Sequence, residues 1–215
     1  RPPSVLHYGW WRGHNVLVIS ALPTPPRPWG KRQGTAPRNA ADEVARCLGV
    51  TTARLADSGF VARLSQGIAD LRDEATRTSL TGLLEDWMIR DGALGVTMGS
   101  WHGDFTSWNM ARAQGRLSVW DWEQFQVGVP VGLDRIHFAV NAETSKRGIS
   151  RESVAGGLAA ASGGHGRPDD RLLATAYLAA IAVRYARGNE QDAGSVLARP
   201  VAVMREMFEQ SMEVA

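Results

Sequence analysis

The residues best suited to chemistry lie in one short stretch of the sequence, from Trp101 to Glu123. Asp104 closes a His-Gly-Asp tripeptide, Asn109 follows it after five positions, and Asp121 comes twelve positions later. Phosphoryl transfer needs a group that orients the acceptor hydroxyl and takes its proton, and groups that hold Mg²⁺ at the phosphates. Hard cations prefer oxygen ligands. One carboxylate near the acceptor, with an amide oxygen and a second carboxylate on the metal, is a minimal set for that reaction.

The spacing of these three residues allows their side chains to meet. The five-position step predicts a loop from whose two ends Asp104 and Asn109 point into one site. Residues 116–119 alternate polar and apolar side chains, which predicts a strand that enters Asp121. The Gln-Gly pair at 114–115 predicts a turn before that strand. A hairpin through this turn brings Asp121 back beside Asn109.

Two motifs in this stretch resemble the catalytic loop and the metal motif of aminoglycoside phosphotransferases, choline kinases and their relatives. They are His102-Gly103-Asp104-Phe105 with Asn109, and Val119-Trp120-Asp121-Trp122-Glu123. In that family HGD replaces the HRD of protein kinases, and a hydrophobic-Asp-hydrophobic-Glu run replaces DFG. A looser match extends over nearly the whole chain: residues 16–23 resemble the last small-lobe strand and hinge, and residues 132–138 resemble the helix after the metal motif.

The resemblance implies roles for the residues of both motifs and of the hinge. Asp104 is expected to be the catalytic base, and Asn109 and Asp121 are expected to hold Mg²⁺. The base of ATP or GTP is expected to contact a set of residues at the hinge and in the metal motif: Ser20, Ala21, Leu22 and Trp120. The implied reaction is transfer of the γ-phosphate of a nucleoside triphosphate to a hydroxyl of an aminoglycoside-, choline- or sugar-like molecule.

Three further residues are expected to support the site. The imidazole of His102 is expected to tie the catalytic loop to a neighbouring backbone and not to act as a base. Asp134 is expected to be a helix N-cap that also braces the loop. Within the family the role of the residue at Glu123 varies, so its place in the metal shell stays open.

The rest of the chain divides into three segments. Residues 1–22 hold two β-branched and aromatic runs around Arg12-Gly13-His14, which predict a β-hairpin, interpreted as a remnant of the N-lobe sheet with the hinge. Residues 23–38 are a Pro-rich connection, and residues 39–215 are predicted to form a helical catalytic C-lobe. The predicted fold class is α+β and mostly helical: a protein-kinase-like large lobe with a remnant hairpin of the small lobe.

Apolar stripes at helical spacing predict the helices of that lobe. One stripe runs through residues 64–75, a second through residues 80–88 before Gly92, and a third through residues 172–184 with a predicted stop at Gly188.

Part of the kinase machinery has no counterpart in these 215 residues. No phosphate-covering glycine loop and no lysine of the VAIK type precede the predicted hairpin, and Lys31 lies after the predicted hinge. The chain is therefore interpreted as the catalytic half of a kinase that lacks most of the nucleotide-binding lobe. Since phosphoryl transfer depends on positioning and charge stabilisation, we expect the isolated chain to show no measurable phosphotransfer and to associate through its exposed hairpin.

Two other classes of function stay open. A metal-dependent phosphohydrolase could use His102, Asp104, Asp121 and Glu123 on two cations, and it would hydrolyse a phosphoester without added ATP. A non-catalytic binding module could keep the kinase fold without turnover.

Composition narrows the partners. The net charge is +2 and the basic residues form no run or stripe, so nucleic acid is not expected as a partner. No apolar run has the length of a membrane span, so no membrane partner is expected. The expected location is the cytoplasm. A single cysteine excludes an internal disulfide. The resemblance implies that the acceptor binds among the helices over residues 133–212, where scattered acidic residues could meet a cationic substrate.

Overall fold

The computed structural model describes residues 4–21, 27–28, 36–113, 116–162, 168–191 and 195–213. The helices of these residues are, in chain order, α1 (Ala36–Arg46), α2 (Gly59–Ala69), α3 (Glu74–Asp91), α4 (Leu133–Arg147), α5 (Arg151–Ser162), α6 (Pro168–Gln191) and α7 (Ala198–Glu213). The strands are β1 (Val5–Trp11), β2 (His14–Ile19), β3 (Arg27–Pro28), β4 (Thr51–Arg54), β5 (Gly95–Trp101), β6 (Met110–Ala113), β7 (Arg116–Val119) and β8 (Gln126–Pro130).

Two small antiparallel sheets frame the segment that carries the chemistry. In the first, β5 pairs with β4 on one side and β8 on the other, and it ends at Trp101, directly before the His-Gly-Asp tripeptide. In the second, β7 pairs with β6 so that Met110 faces Val119, and β3 lies on the other side of β6. The two sheets therefore fix both ends of the candidate catalytic loop.

The main core forms around α6. Every residue from 176 to 183 is buried, as expected for a helix that is apolar on all sides and enclosed by others. α6 packs against α2, α3, α4 and α7. A smaller apolar cluster lies beneath the loop and contains Ala41, Val44, Phe105, Met110 and Val119.

The structure confirms the predicted fold class, which is α+β and mostly helical with a β-hairpin at the start. The hairpin forms as predicted from β1 and β2, with Arg12 and Gly13 in its turn. The strand predicted before Asp121 also forms, as β7. No described helix is both long and apolar enough to cross a membrane.

Several element boundaries differ from the predictions. The stripe through residues 64–75 is not one helix, because α2 ends at Ala69 and the carboxylate of Asp73 caps α3 by accepting the N–H of Thr76. Gly188 does not stop α6; the helix continues to Gln191, and a Cβ at Gly188 would press on Leu197.

The start of the predicted C-lobe and one of the sheets also differ from the predictions. Helix α1 begins at Ala36, inside the predicted Pro-rich connection, and most of that connection lies outside the described residues. The sheet of β4, β5 and β8 was not predicted, because β4 is a four-residue Thr-Thr-Ala-Arg run without a buried apolar stripe. The turn at 114–115 lies outside the described residues.

Two helix-interior glycines allow a matched test of the packing. A Cβ on Gly157 of α5 would overlap the backbone of Val140 in α4, whereas a Cβ on Gly82 of α3 would meet nothing within 4 Å. We expect Gly157→Ala to destabilise the protein by about 1–3 kcal/mol through overpacking. Gly82→Ala should stabilise it by about 0.5–1 kcal/mol, because alanine loses less backbone entropy in a helix. Urea unfolding midpoints measure both, and equal shifts for the two variants would contradict the close α4–α5 contact.

The hairpin of β1 and β2 exposes large apolar side chains. Tyr8, Trp10 and Leu17 are 70%, 73% and 59% exposed, and the first and last are cross-strand partners. An isolated two-stranded sheet has marginal stability in water, and an open apolar edge favours pairing with another chain.

This exposed surface predicts self-association of the chain. The triple variant Tyr8→Thr, Trp10→Thr, Leu17→Thr keeps side chains that favour strands and should lower the concentration-dependent increase in mass measured by light scattering. Ile89→Thr is the control, since Ile89 is 84% exposed on α3, away from the hairpin. Unchanged association of the triple variant would show that another surface is responsible.

Candidate active site

The candidate catalytic loop runs from His102 to Asn109, between β5 and β6. Gly103 has a φ of 84°, and a Cβ at this position would overlap the carbonyl of Gln124. Both features require glycine here. Phe105 is fully buried and its ring lies 6.0 Å from that of His102, so it anchors the loop to the smaller apolar cluster.

The carboxylate of Asp104 is held by one donor on each oxygen. The amide nitrogen of Asn109 donates to Oδ2 at 2.7 Å and to the Asp104 carbonyl at 3.1 Å. The ring of His137 contacts Oδ1 through Nε2 at 3.2 Å. The hydrogen bond with His137 holds the pKa of Asp104 below its ordinary value. With 31% of its side chain exposed, Asp104 is an ionised carboxylate that still faces an open side.

Asp121 lies two residues after the end of β7 and has an exposed side chain. Its backbone is left-handed, with φ 67° and ψ 60°, a conformation that Asp and Asn adopt more readily than most residues. The N–H of Trp120 donates to the carbonyl of Asn109 at 3.1 Å. The β6–β7 hairpin therefore returns Asp121 to the neighbourhood of Asn109, as the spacing predicted.

His102 connects the two motifs. Its Nδ1 accepts the backbone N–H of Asp104 at 3.2 Å, and its Nε2 lies 2.9 Å from the carbonyl of Trp120. Burial lowers the pKa of His102, against the opposing charges of Asp104 and Asp121. The ring is therefore neutral, with its proton on Nε2 donated to Trp120. This confirms the predicted tie between the loop and a neighbouring backbone.

Asp134 braces the loop from α4. Its two carboxylate oxygens accept the backbone N–H groups of His102 at 2.7 Å and Gly103 at 3.2 Å. The predicted bracing is confirmed, but the predicted N-cap role is wrong: Gly132 is the N-cap, and Asp134 lies inside the first turn of α4. Burial raises the pKa of Asp134 to about 7, although the two backbone N–H donors act in the opposite direction.

Three residues at the site were missed as functional residues from the sequence. His137 and Tyr177 lie behind Asp104, and the guanidinium of Arg184 donates to the carbonyl of Gly103 at 2.6 Å. From the sequence, Tyr177 and Arg184 lie in the apolar stripe through residues 172–184, and His137 lies in the stretch that resembles the helix after the metal motif. The usable signal was polar side chains inside otherwise apolar stripes, because a buried polar group needs a partner.

The donor set of Asn109 and Asp121 fits a hard cation. The side-chain nitrogen of Asn109 donates to Asp104, so the side-chain oxygen of Asn109 is the atom that can coordinate a metal. Asp121 offers an exposed carboxylate. Among the described residues no group of three or more His, Cys, Asp or Glu side chains could hold a metal ion. His102 has both ring nitrogens engaged. This engagement disfavours His102 as a ligand of the two-cation phosphohydrolase.

The residues assigned to the nucleotide are not brought together by the described contacts. The N–H of Ser20 donates to the Ser4 carbonyl at 2.8 Å, and its Oγ accepts the Ser4 N–H at 2.9 Å. Ala21 is exposed, Leu22 lies outside the described residues, and Trp120 is half-buried with its backbone engaged by the loop. Their role in nucleotide binding stays a prediction.

Comparisons with known proteins bear on the fold. No protein-family model matches the sequence, and no curated protein shows significant similarity to it. Among solved structures, a choline/ethanolamine kinase family protein from Mesorhizobium loti matches with a TM-score of 0.57 and 14% identity, over 99% of this chain and 75% of that chain. This match and the geometry above agree on a kinase-like fold of the choline kinase and aminoglycoside phosphotransferase type.

Two structures of glucosamine kinase also match, each with a TM-score of 0.45. Crystal form B is 19% identical over 82% of this chain and 52% of that chain. The complex with glucosamine, ADP and inorganic phosphate is 20% identical over 82% of this chain and 54% of that chain. The chain spans about half the length of the glucosamine kinase chains that it matches.

The brace by Asp134 predicts a large stability effect. Asp134→Ala leaves the buried N–H groups of His102 and Gly103 without their acceptor, and each such loss costs about 1–3 kcal/mol. We expect the free energy of unfolding of this variant, measured with urea, to be lower than that of the wild type by about 2–5 kcal/mol. The control Asp42→Ala breaks an exposed pair with Arg135 at 3.7 Å and should cost less than about 1 kcal/mol.

The raised pKa of Asp134 adds a pH dependence to this comparison. Asp134 binds its proton more tightly in the folded protein than in the unfolded chain, so the corresponding stability is fully present below the ordinary pKa of 3.8 and is lost as the pH rises through about 7. The stability difference between wild type and Asp134→Ala should therefore shrink across that interval. A difference that grows with pH would show that burial does not dominate at this carboxylate.

Proposed function

We propose that this chain carries the catalytic site of a small-molecule kinase that transfers the γ-phosphoryl group of a nucleoside triphosphate to a hydroxyl group. The observation that carries the proposal is the carboxylate of Asp104, held on one oxygen by Asn109 and on the other by His137, with its remaining side open. The kinase-like fold supports the same conclusion.

Asp104 would act on the acceptor. Its ionised carboxylate accepts the O–H of the acceptor, orients the oxygen towards the γ-phosphorus, and takes the proton as the new P–O bond forms. The low pKa of Asp104 makes it a weak base in the ground state. Orientation of the hydroxyl is therefore its first task, in agreement with a reaction that depends mainly on positioning.

Asn109 and Asp121 would hold Mg²⁺, the amide through its oxygen and the aspartate through its carboxylate. When bound, Mg²⁺ neutralises charge on the nucleotide phosphates. Asn109 would thereby connect the two halves of the site, because its side-chain nitrogen holds Asp104 while its side-chain oxygen would coordinate the metal.

The nucleotide, ATP or GTP, would lie against Ser20, Ala21 and Leu22 with Trp120 beside its base. The acceptor would bind among the helices after the metal motif and would be aminoglycoside-, choline- or sugar-like. We also propose that the protein has no nucleic-acid partner and that it is located in the cytoplasm.

A module without turnover is the second candidate, favoured by one observation: the described contacts do not bring the residues assigned to the nucleotide together, and Ser20 is hydrogen-bonded to Ser4 instead. Turnover should therefore be assayed both on this chain, where we expect none, and on any longer natural chain that includes it. Acceptor-dependent ADP release from the 215 residues alone would show that they need no further phosphate cradle.

Two substitutions separate the base from the metal ligand. In the longest active chain, Asp104→Asn should lower kcat about 10²–10⁴-fold, because it removes the base, and should leave Mg-ADP affinity nearly unchanged. Asp121→Ala should weaken Mg²⁺-dependent ADP binding as well as lower the rate. A coupled ADP-release assay with amino-alcohol, aminoglycoside and sugar acceptors measures turnover, and calorimetry measures binding.

The control for both is Asp57→Asn, an exposed aspartate that pairs with Arg54 at the end of β4. It should keep wild-type turnover and affinity. Near-normal phosphorylation by Asp104→Asn would rule out the base. ADP affinity that is independent of Mg²⁺ and of Asp121 would rule out the metal site, and phosphoester hydrolysis without ATP would favour the phosphohydrolase.

A further inference from the structure

His137 is a buried histidine in α4 that contacts Asp104 from behind the catalytic loop. Its side chain is 7% exposed, and its Nε2 lies 3.2 Å from Oδ1 of Asp104. On its other side, Nδ1 lies 3.2 Å from the hydroxyl of Tyr177, which projects from α6 and is 1% exposed. Two helices thus supply an unbroken chain of polar contacts that ends at the open carboxylate.

The protons in this chain can be assigned from burial and charge. Burial lowers the pKa of His137 and raises the pKa of Tyr177 well above its ordinary value, so the ring is neutral and the phenol keeps its proton. A neutral imidazole has one N–H and one lone pair. If the lone pair were on Nε2, it would face the carboxylate of Asp104, which is unfavourable. The N–H is therefore on Nε2, and Tyr177 donates to Nδ1.

This arrangement gives each oxygen of Asp104 one fixed donor. His137 holds Oδ1, and Asn109 holds Oδ2 at 2.7 Å. Two donors from different elements fix the plane of the carboxylate, whereas one donor would leave it free to rotate about the Cβ–Cγ bond. The remaining lone pairs then point in constant directions on the exposed side.

We propose that His137, with its tautomer set by Tyr177, is a positioning residue that fixes the carboxylate of Asp104 in the orientation that receives the acceptor hydroxyl. This inference rests on the proposed phosphotransfer. It assigns a chemical role to a residue that the sequence indicates only as part of the helix after the metal motif. Misplacement of a reacting group by about 1 Å can cost roughly 10²-fold in rate, so the loss of one of the two donors should be visible in kcat.

Three variants test the role in the active chain. His137→Leu fills the space without a donor, and kcat should fall about 10–10²-fold with the nucleotide KM unchanged. His137→Gln can place an amide N–H where Nε2–H lies, and it should restore most of the lost kcat. Tyr177→Phe removes only the hydroxyl and should lower kcat several-fold. Equal losses for Leu and Gln, or full activity of His137→Leu, would overturn the inference by reducing His137 to packing.

A spectroscopic readout does not depend on turnover. In protein labelled with ¹⁵N at histidine, the ring nitrogens of His137 should show the Nε2–H tautomer, and Tyr177→Phe should perturb Nδ1. His137→Leu identifies the resonances. An Nδ1–H ring in a protein that catalyses phosphotransfer would overturn this inference alone. If the Nε2–H tautomer is found but the longest natural chain that includes these residues transfers a phosphoryl group to no acceptor, the proposed function is overturned, and the catalytic role of His137 with it.

Discussion

The carboxylate of Asp134 is the contact on which the rest of the site depends. It lies in the first turn of α4 and accepts the N–H groups of His102 and Gly103, so it determines how the chain turns after leaving β5. That turn needs the positive φ of Gly103. Arg184 of α6 binds the carbonyl of the same glycine. One glycine residue is thus held on its N–H side by α4 and on its C=O side by α6, and the direction of the next side chain, Asp104, follows from that.

From this clamp a continuous hydrogen-bonded unit extends to the metal motif. His102 joins the backbone of Asp104 to that of Trp120, and Asn109 joins the side chain of Asp104 to β6. Few of the contacts in this unit are ion pairs; most of its hydrogen bonds are made by neutral imidazoles and backbone groups. In a partly buried site this composition has a physical advantage, because neutral donors orient the carboxylates without the desolvation cost of further charges.

The sequence was sufficient to predict the parts of the site that are local in the chain. The Asp104–Asn109 spacing predicts the loop and the alternation through residues 116–119 predicts a strand; the loop forms, and that strand pairs with β6 as β7. The contacts of His137, Tyr177 and Arg184 join residues 33 to 81 positions apart, and periodicity identifies only the face on which each lies. The short strand β4 was not predicted, because its pairing with β5, and not its own residue pattern, determines its conformation. The predicted end of α6 at Gly188 was wrong for a similar reason: packing against other elements outweighs the weak helix propensity of glycine.

The left-handed backbone of Asp121 limits which amino acids this position can hold. Two requirements coincide there under the proposed function. The first is a conformation that costs most L-residues about 1–2 kcal/mol, and the second is a side-chain oxygen that would bind a cation. Glycine satisfies the first and glutamate the second, but only aspartate and asparagine satisfy both. A change to asparagine would keep the backbone geometry and exchange a charged ligand for a neutral one, whereas a change to glutamate would keep the charge and strain the turn. Relatives of this fold should therefore vary at this position along the Asp–Asn axis and not along the Asp–Glu axis.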